Sequence, residues 1–148
     1  MKGTATLFAI LLLAVPAYFI QAAPQTATSN KKTQAQEVEF ITPEELKQKI
    51  SKNETITIVD LRGPSVFAES DRTVKGSLHT KVRKVVYRLR EIPRDREIIT
   101  YCACQADEAA IMGAQSLLSG GFKKVRVLKG GWNAWLAAGG QVQPKPKA

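Results

Sequence analysis

Glu97-Ile98-Ile99-Thr100-Tyr101-Cys102-Ala103-Cys104-Gln105-Ala106-Asp107-Glu108 begins as a β-branched and aromatic run and ends in two cysteines and a polar turn. Glu97 to Cys102 has the composition of a buried strand. Glu108 to Ser119 is Ala/Leu-rich and reads as a helix, with Gly120-Gly121 closing it. A strand that enters a helix through a short loop is half of a βαβ unit. In open parallel sheets, ligands bind beyond the carboxyl ends of such strands. The loop from Cys102 to Asp107 can curl so that its backbone N–H groups face one point, and the dipole of the following helix adds to that field. A thiol held there ionises more easily and becomes a nucleophile.

The same alternation runs through the flanking chain. Val38 to Ile41 is a short strand. Thr42-Pro43-Glu44-Glu45 starts a helix that continues to about Ser51, with Thr42 as cap, Pro43 in the first turn and Glu45 completing a capping box. Thr55 to Leu61 is a buried strand, broken by Gly63-Pro64 before a short helix over Val66 to Ser70. Asp71 to Leu78 reads as a loop. Lys81 to Glu91 carries Val82, Val85, Val86 and Leu89 at helical spacing, and Pro93 ends it. Lys124 to Leu128 is a strand, and Gly130-Gly131 turns into a last helix, Trp132 to Ala138. Strands alternating with helices define a parallel α/β sheet.

The chain has 148 residues, 44% hydrophobic and 24% charged, with two cysteines and a net charge of +9. Those values exclude a collagen-like repeat, a long disordered chain and a cysteine-dense mini-scaffold. Leu7 to Ile20 is the single long apolar run, so a multi-span membrane protein is excluded too. With Lys2 ahead of it and Ala22-Ala23 behind, this run reads as a signal peptide over residues 1–22, and export is expected, to the periplasm. An uncleaved N-terminal anchor is the alternative. Residues 23–37 read as a disordered tether, residues 38–140 as the folded domain, and residues 141–148, rich in Pro and Lys, as a disordered tail.

Taken in order, Ile41-Thr42-Pro43-Glu44-Glu45-Leu46, Val59-Asp60-Leu61-Arg62, Tyr101-Cys102, Gly121-Phe122-Lys123-Lys124-Val125 and Leu128-Lys129-Gly130-Gly131-Trp132 through Trp135 resemble a single rhodanese-like domain. The resemblance covers nearly all of Val38 to Gly140. It implies a five-stranded, mostly parallel sheet with helices on both faces. It also implies a sulfurtransferase, or sulfur carrier, that moves sulfane sulfur from a small anionic donor such as thiosulfate to a thiol acceptor. Cys102 would carry the persulfide. The backbone N–H groups of Ala103, Cys104, Gln105, Ala106, Asp107 and Glu108 would hold the donor. Asp60 and Arg62 would brace the loop or neighbouring backbone, and Trp132 would wall the pocket. No cofactor is implied. The Cys-x-Cys followed by acidic residues is similar to a divergent branch of the family.

The loop has no basic residue; the Asp107 and Glu108 carboxylates suit a helix N-terminus, and they are also expected to oppose thiolate formation and repel an anionic donor there. Tyr101 marks Cys102 as the acceptor, whereas the distance back from Gly121-Phe122 suits Cys104; Cys102 is ranked first and Cys104 second. Two thiols in an exported protein also suit thiol–disulfide exchange, since a Cys102–Cys104 bond between such near neighbours is expected to be strained and labile. A third reading is a binding module without chemistry. Cys102, Cys104 and His79 make a weak set for a soft metal ion, so no metal is expected, and His79 reads as a surface or loop residue. Lys75 to Arg96 holds eight Lys/Arg and two acids, which reads equally as a solvated helix face and as a docking or steering surface for an anion, an acidic protein or a membrane surface. No nucleic-acid motif accompanies it.

Overall fold

The computed structural model describes residues 37–146. The expected leader, the tether up to residue 36 and the last two residues lie outside it. Five strands form one sheet in the order β1(Glu39–Ile41), β6(Lys124–Leu128), β5(Glu97–Tyr101), β2(Ile56–Asp60), β4(Leu78–His79), and every neighbouring pair is parallel. Alternation along the strands divides the core into two layers. On one face, Val59, Ile98, Val125 and Val127 pack under α3(Val85–Arg88) and α4(Glu108–Ser119). On the other, Ile41, Ile58, Ile99 and Tyr101 pack under α1(Pro43–Ser51) and α5(Gly131–Ala137). The five-stranded sheet with helices on both faces is therefore present.

Local chemistry sets the helix ends as read from the sequence. The Thr42 hydroxyl accepts the Glu45 N–H at 3.2 Å, and the Glu45 carboxylate accepts the Thr42 N–H at 2.8 Å. At the end of α4, Gly121 has φ +89°; its N–H reaches the Leu118 carbonyl, and the next N–H, of Phe122, reaches back to Leu117. That double return is a Schellman motif, and it needs a residue that tolerates a left-handed backbone.

Three segments differ from the sequence expectation. Asp71 to Leu78 is not all loop: Arg72–Val74 form β3, and Leu78 opens β4, which supplies the fifth strand. The expected helix over Lys81 to Glu91 is a 3₁₀ turn, Val82–Lys84, running into the single turn of α3. Its apolar residues still face inward, with Val85 and Leu89 buried. The third correction concerns the tail. Val142–Pro144 form β7, antiparallel to β3, in place of the disorder expected over 141–148. Composition gave no core signal there, but the backbone of β3 offers unpaired N–H and C=O groups that an extended partner satisfies. The Lys145 N–H bonds the Asp71 carbonyl and its ammonium bonds the Phe67 carbonyl, so the folded unit extends beyond Gly140.

Candidate functional site

β5 delivers Cys102 to the carboxyl edge of the sheet, where the chain turns away toward α4. Thr100 and Cys102 lie on the α4 side of the strand, and Thr100 is satisfied there by the Ala110 carbonyl at 3.0 Å. Cys102 and Cys104 are joined in a disulfide with Cα atoms 5.8 Å apart. Two backbone N–H groups point at the sulfurs. That of Cys104 lies 3.4 Å from the Cys102 Sγ, and that of Ala109, in the first turn of α4, lies 3.5 Å from the Cys104 Sγ. The two sulfurs differ in access. Cys102 is 1% exposed and packs in the core beneath α4, whereas Cys104 is half-buried. Ala103 is half-buried, and Gln105, Ala106 and Glu108 are exposed.

The loop is clamped from the β6–α5 side. The Trp132 N–H donates to the Cys102 carbonyl at 2.7 Å. The Asp107 carboxylate accepts the Gly130 N–H at 2.9 Å. Gly130 and Gly131 have φ +70° and +51°, and a Cβ on Gly131 would strike the Cys102 carbonyl oxygen. Asp107 is itself left-handed, at φ +54°, which turns its side chain toward that glycine turn and away from capping α4. Sequence reasoning set both carboxylates against the thiols. The structure spends one of them on holding the loop, and only Glu108 stays exposed.

Asp60 and Arg62 occupy the next strand end and form a buried ion pair. Arg62 Nη2 lies 2.7 Å from Asp60 Oδ2 and also donates to the Arg72 carbonyl. The Tyr101 hydroxyl donates to the same carboxylate oxygen at 2.7 Å, and Thr73 and Ser77 complete the network. Burial pushes the Asp60 carboxyl upward, but hydrogen bonds from Arg62 and Tyr101 outweigh it and hold the group below the usual carboxylate range. Burial, reinforced by the Asp60 charge, pushes Tyr101 up to about 12. The Arg62 guanidinium lies 4.3 Å from the Trp132 ring centroid. Arg62 thus braces the β3 backbone directly, and reaches the cysteine loop through Trp132. Among the described residues, Arg62 Nη1 and Asp107 Oδ1 are buried without a hydrogen-bond partner.

Thr73, Ser77 and the Tyr101 hydroxyl were not singled out as site residues from the sequence. A tyrosine at the end of a strand read as buried is the available signal, because a buried hydroxyl needs a partner. His79 stacks on Phe67 at 3.5 Å with its Nε2 against the Arg62 carbonyl. Lys81, Arg83, Lys84, Arg88, Arg90 and Arg94 are exposed around the 3₁₀ turn and α3.

A parallel α/β sheet with a clamped cysteine loop at the carboxyl edge of its middle strand places the chain among small α/β domains built around a strand-end cysteine site. The sequence pattern described as "Rhodanese-like domain" matches residues 42–138. A protein named "Sulfurtransferase" from Allochromatium vinosum is 29% identical over 102 residues, covering 69% of this chain and 92% of that one. Among solved structures, the Alr3790 protein from Anabaena sp. superposes with a TM-score of 0.63 at 29% identity, covering 71% of this chain and 82% of that chain. The BH2092 protein from Bacillus halodurans gives a TM-score of 0.63 at 25% identity, covering 72% and 77%. The chain belongs to the rhodanese-like domain family, and a sulfurtransferase-type function is supported at the level of that family.

Proposed function

We propose that this protein is an exported sulfurtransferase that carries sulfane sulfur as a persulfide on the Cys102–Cys104 loop. The observation that carries the reading is the pair of N–H groups, from Cys104 and Ala109, aimed at the two sulfurs at the mouth of α4. In the reduced protein these donors favour a thiolate over a thiol. The thiolate attacks the outer sulfur of a donor such as thiosulfate, a sulfur–sulfur bond forms, and sulfite leaves. A thiol acceptor then takes the sulfur. The clamps from Gly130 and Trp132 keep the loop in place through both half-reactions.

Thiosulfate or polysulfide should add about 32 Da to at least one of the reduced full-length single-cysteine variants, Cys102→Ser and Cys104→Ser, and cyanide should remove it. If neither donor adds mass to either variant, this function fails. The disulfide favours a second reading, thiol–disulfide exchange through the same pair. That reading predicts a two-electron potential, lost in Cys104→Ser, with no sulfur uptake.

A further inference from the structure

A persulfide carrier needs one cysteine, and this loop holds two whose sulfurs are within bonding reach. Their surroundings are unequal. Cys104 is half-buried and receives the Ala109 N–H from the helix start. Cys102 is 1% exposed and receives the Cys104 N–H. A donor molecule therefore reaches Cys104, and Cys102 is reached only from Cys104. The order is the reverse of the ranking that the strand end suggested.

We propose that Cys104 is the sulfur acceptor and Cys102 the resolving thiol, so that the loop reduces sulfane sulfur to sulfide. The inference rests on the persulfide function above and assigns its two cysteines. In the first step the Cys104 thiolate takes the outer sulfur of the donor, and with thiosulfate the leaving group is sulfite. In the second step the Cys102 thiolate attacks the Cys104 Sγ. The bond between that Sγ and the carried sulfur breaks, and the carried sulfur leaves with the electron pair as hydrosulfide. Two thiol sulfurs are oxidised to the disulfide, and the sulfane sulfur is reduced by two electrons. The loop then stands as the structure presents it.

Reopening the loop needs an external dithiol. One thiolate of the dithiol attacks the accessible Cys104 Sγ and expels the Cys102 thiolate, which the Cys104 N–H stabilises. The second thiol resolves the mixed disulfide and frees Cys104. Thiol–disulfide exchange proceeds at the sulfur the incoming thiolate can reach, here Cys104, and the departing Cys102 sulfur keeps its one N–H donor. Sulfur transfer and the redox reading then become two halves of one cycle. Its net reaction is thiosulfate plus a dithiol giving sulfite, hydrosulfide and a disulfide.

The test is anaerobic and uses the full chain, reduced and then freed of reductant. Thiosulfate is added, with inorganic polysulfide in a parallel arm. Intact mass is read in both arms, and sulfide is read in the thiosulfate arm against a protein-free blank. The wild type should end about 2 Da lighter than its reduced form, with sulfide released in proportion to protein. Cys102→Ser should keep the added sulfur and release no sulfide until a thiol is supplied. Cys102→Ala repeats that variant without a buried hydroxyl. Cys104→Ser should take up nothing. A wild type that retains its persulfide overturns the assignment while leaving the carrier function standing. So does uptake by Cys104→Ser but not by Cys102→Ser. Absence of uptake in every form overturns both.

Discussion

The Asp107 carboxylate accepts the Gly130 N–H at 2.9 Å and thereby fastens the cysteine loop to the turn between β6 and α5. Asp107 reaches that donor because its own backbone is left-handed, a conformation Asp and Asn tolerate better than most residues. Asp107→Ala removes the acceptor and leaves the residue in an unsuited conformation. The expected loss is about 1.5–3 kcal/mol, typical of a hydrogen bond to a charged group. Asp107→Asn keeps a carbonyl for Gly130 and tolerates the backbone, so it should recover most of that loss. Urea unfolding of both variants, with exchange of the Gly130 amide, makes the comparison. Equal stability of the alanine variant and the wild type would remove the clamp from the account.

Gly131 faces the other strap of the same clamp. Its φ is +51°, and an added Cβ collides with the Cys102 carbonyl oxygen, which also accepts the Trp132 N–H. Gly139 has a similar φ of +65° but open space around it. Gly139→Ala should cost only the left-handed backbone, about 1–2 kcal/mol. Gly131→Ala should cost clearly more and should slow sulfur uptake, because backbone oxygen cannot swing aside as a side chain can. Similar losses for the two variants would show that the close approach to Cys102 has no energetic weight.

Elements fixed by neighbours in the chain could be read from the sequence. Thr42 with Glu45 predicts its own cap, and Gly121 predicts the end of α4, since each acts within one turn. The strand–loop–helix around Cys102 was readable for the same reason. The direction of the Asp107 carboxylate depends on Gly130, 23 residues on, and no local pattern points there. β7 depends on the free edge of β3, so the composition of Val142–Pro144 misleads. The ranking of Cys102 over Cys104 followed strand grammar. The unequal exposure of the two sulfurs depends on α4 packing over the strand end.

Asp60 and Arg62 are both almost fully buried, so each leaves an uncompensated partner if the other is removed. Arg62→Met should cost about 3–5 kcal/mol, as breaking such a pair does. Asp60 also sets an acid limit. Its folded pKa lies below the unfolded value, so its contribution is fully present above the ordinary carboxylate range and drains away as pH falls through that range and then through the lower folded value. Asp60→Asn should therefore lower stability at neutral pH and flatten the acid limb of the pH–stability curve. Unchanged steepness of that limb in Asp60→Asn would contradict the assignment.

Tyr101 sets the opposite limb. Unfolded tyrosine ionises near pH 10, while burial and the Asp60 charge hold the folded hydroxyl protonated up to about 12. Between those values the unfolded state loses a proton that the folded state keeps, so stability falls as pH rises. Tyr101→Phe removes that loss. It should be less stable than the wild type at neutral pH, through the lost bonds to Asp60 and Thr73, and should close the gap between pH 10 and 12. A gap that stays constant across this window would mean the hydroxyl titrates alike in both states.

The exposed cations of the 3₁₀ turn and α3 allow a last comparison. Arg83 and Arg88 have no ion pair among the described residues, and Arg90 meets Glu91 only at 3.7 Å. Surface positions of this kind change stability by about 0.5 kcal/mol or less when substituted. Reversing all three to Glu should therefore leave the unfolding midpoint nearly unchanged. The donor proposed above is an anion, however, and the loop proposed to receive it carries no cation of its own. If the face raises the local donor concentration, the triple variant should load thiosulfate more slowly at low ionic strength. The difference should shrink as salt shortens the Debye length to about 3 Å at 1 M. Stopped-flow or quenched mass measurements at two salt concentrations separate the cases. A rate deficit that survives high salt would point to a structural change, and equal rates at low salt would show that these cations do not act on the donor.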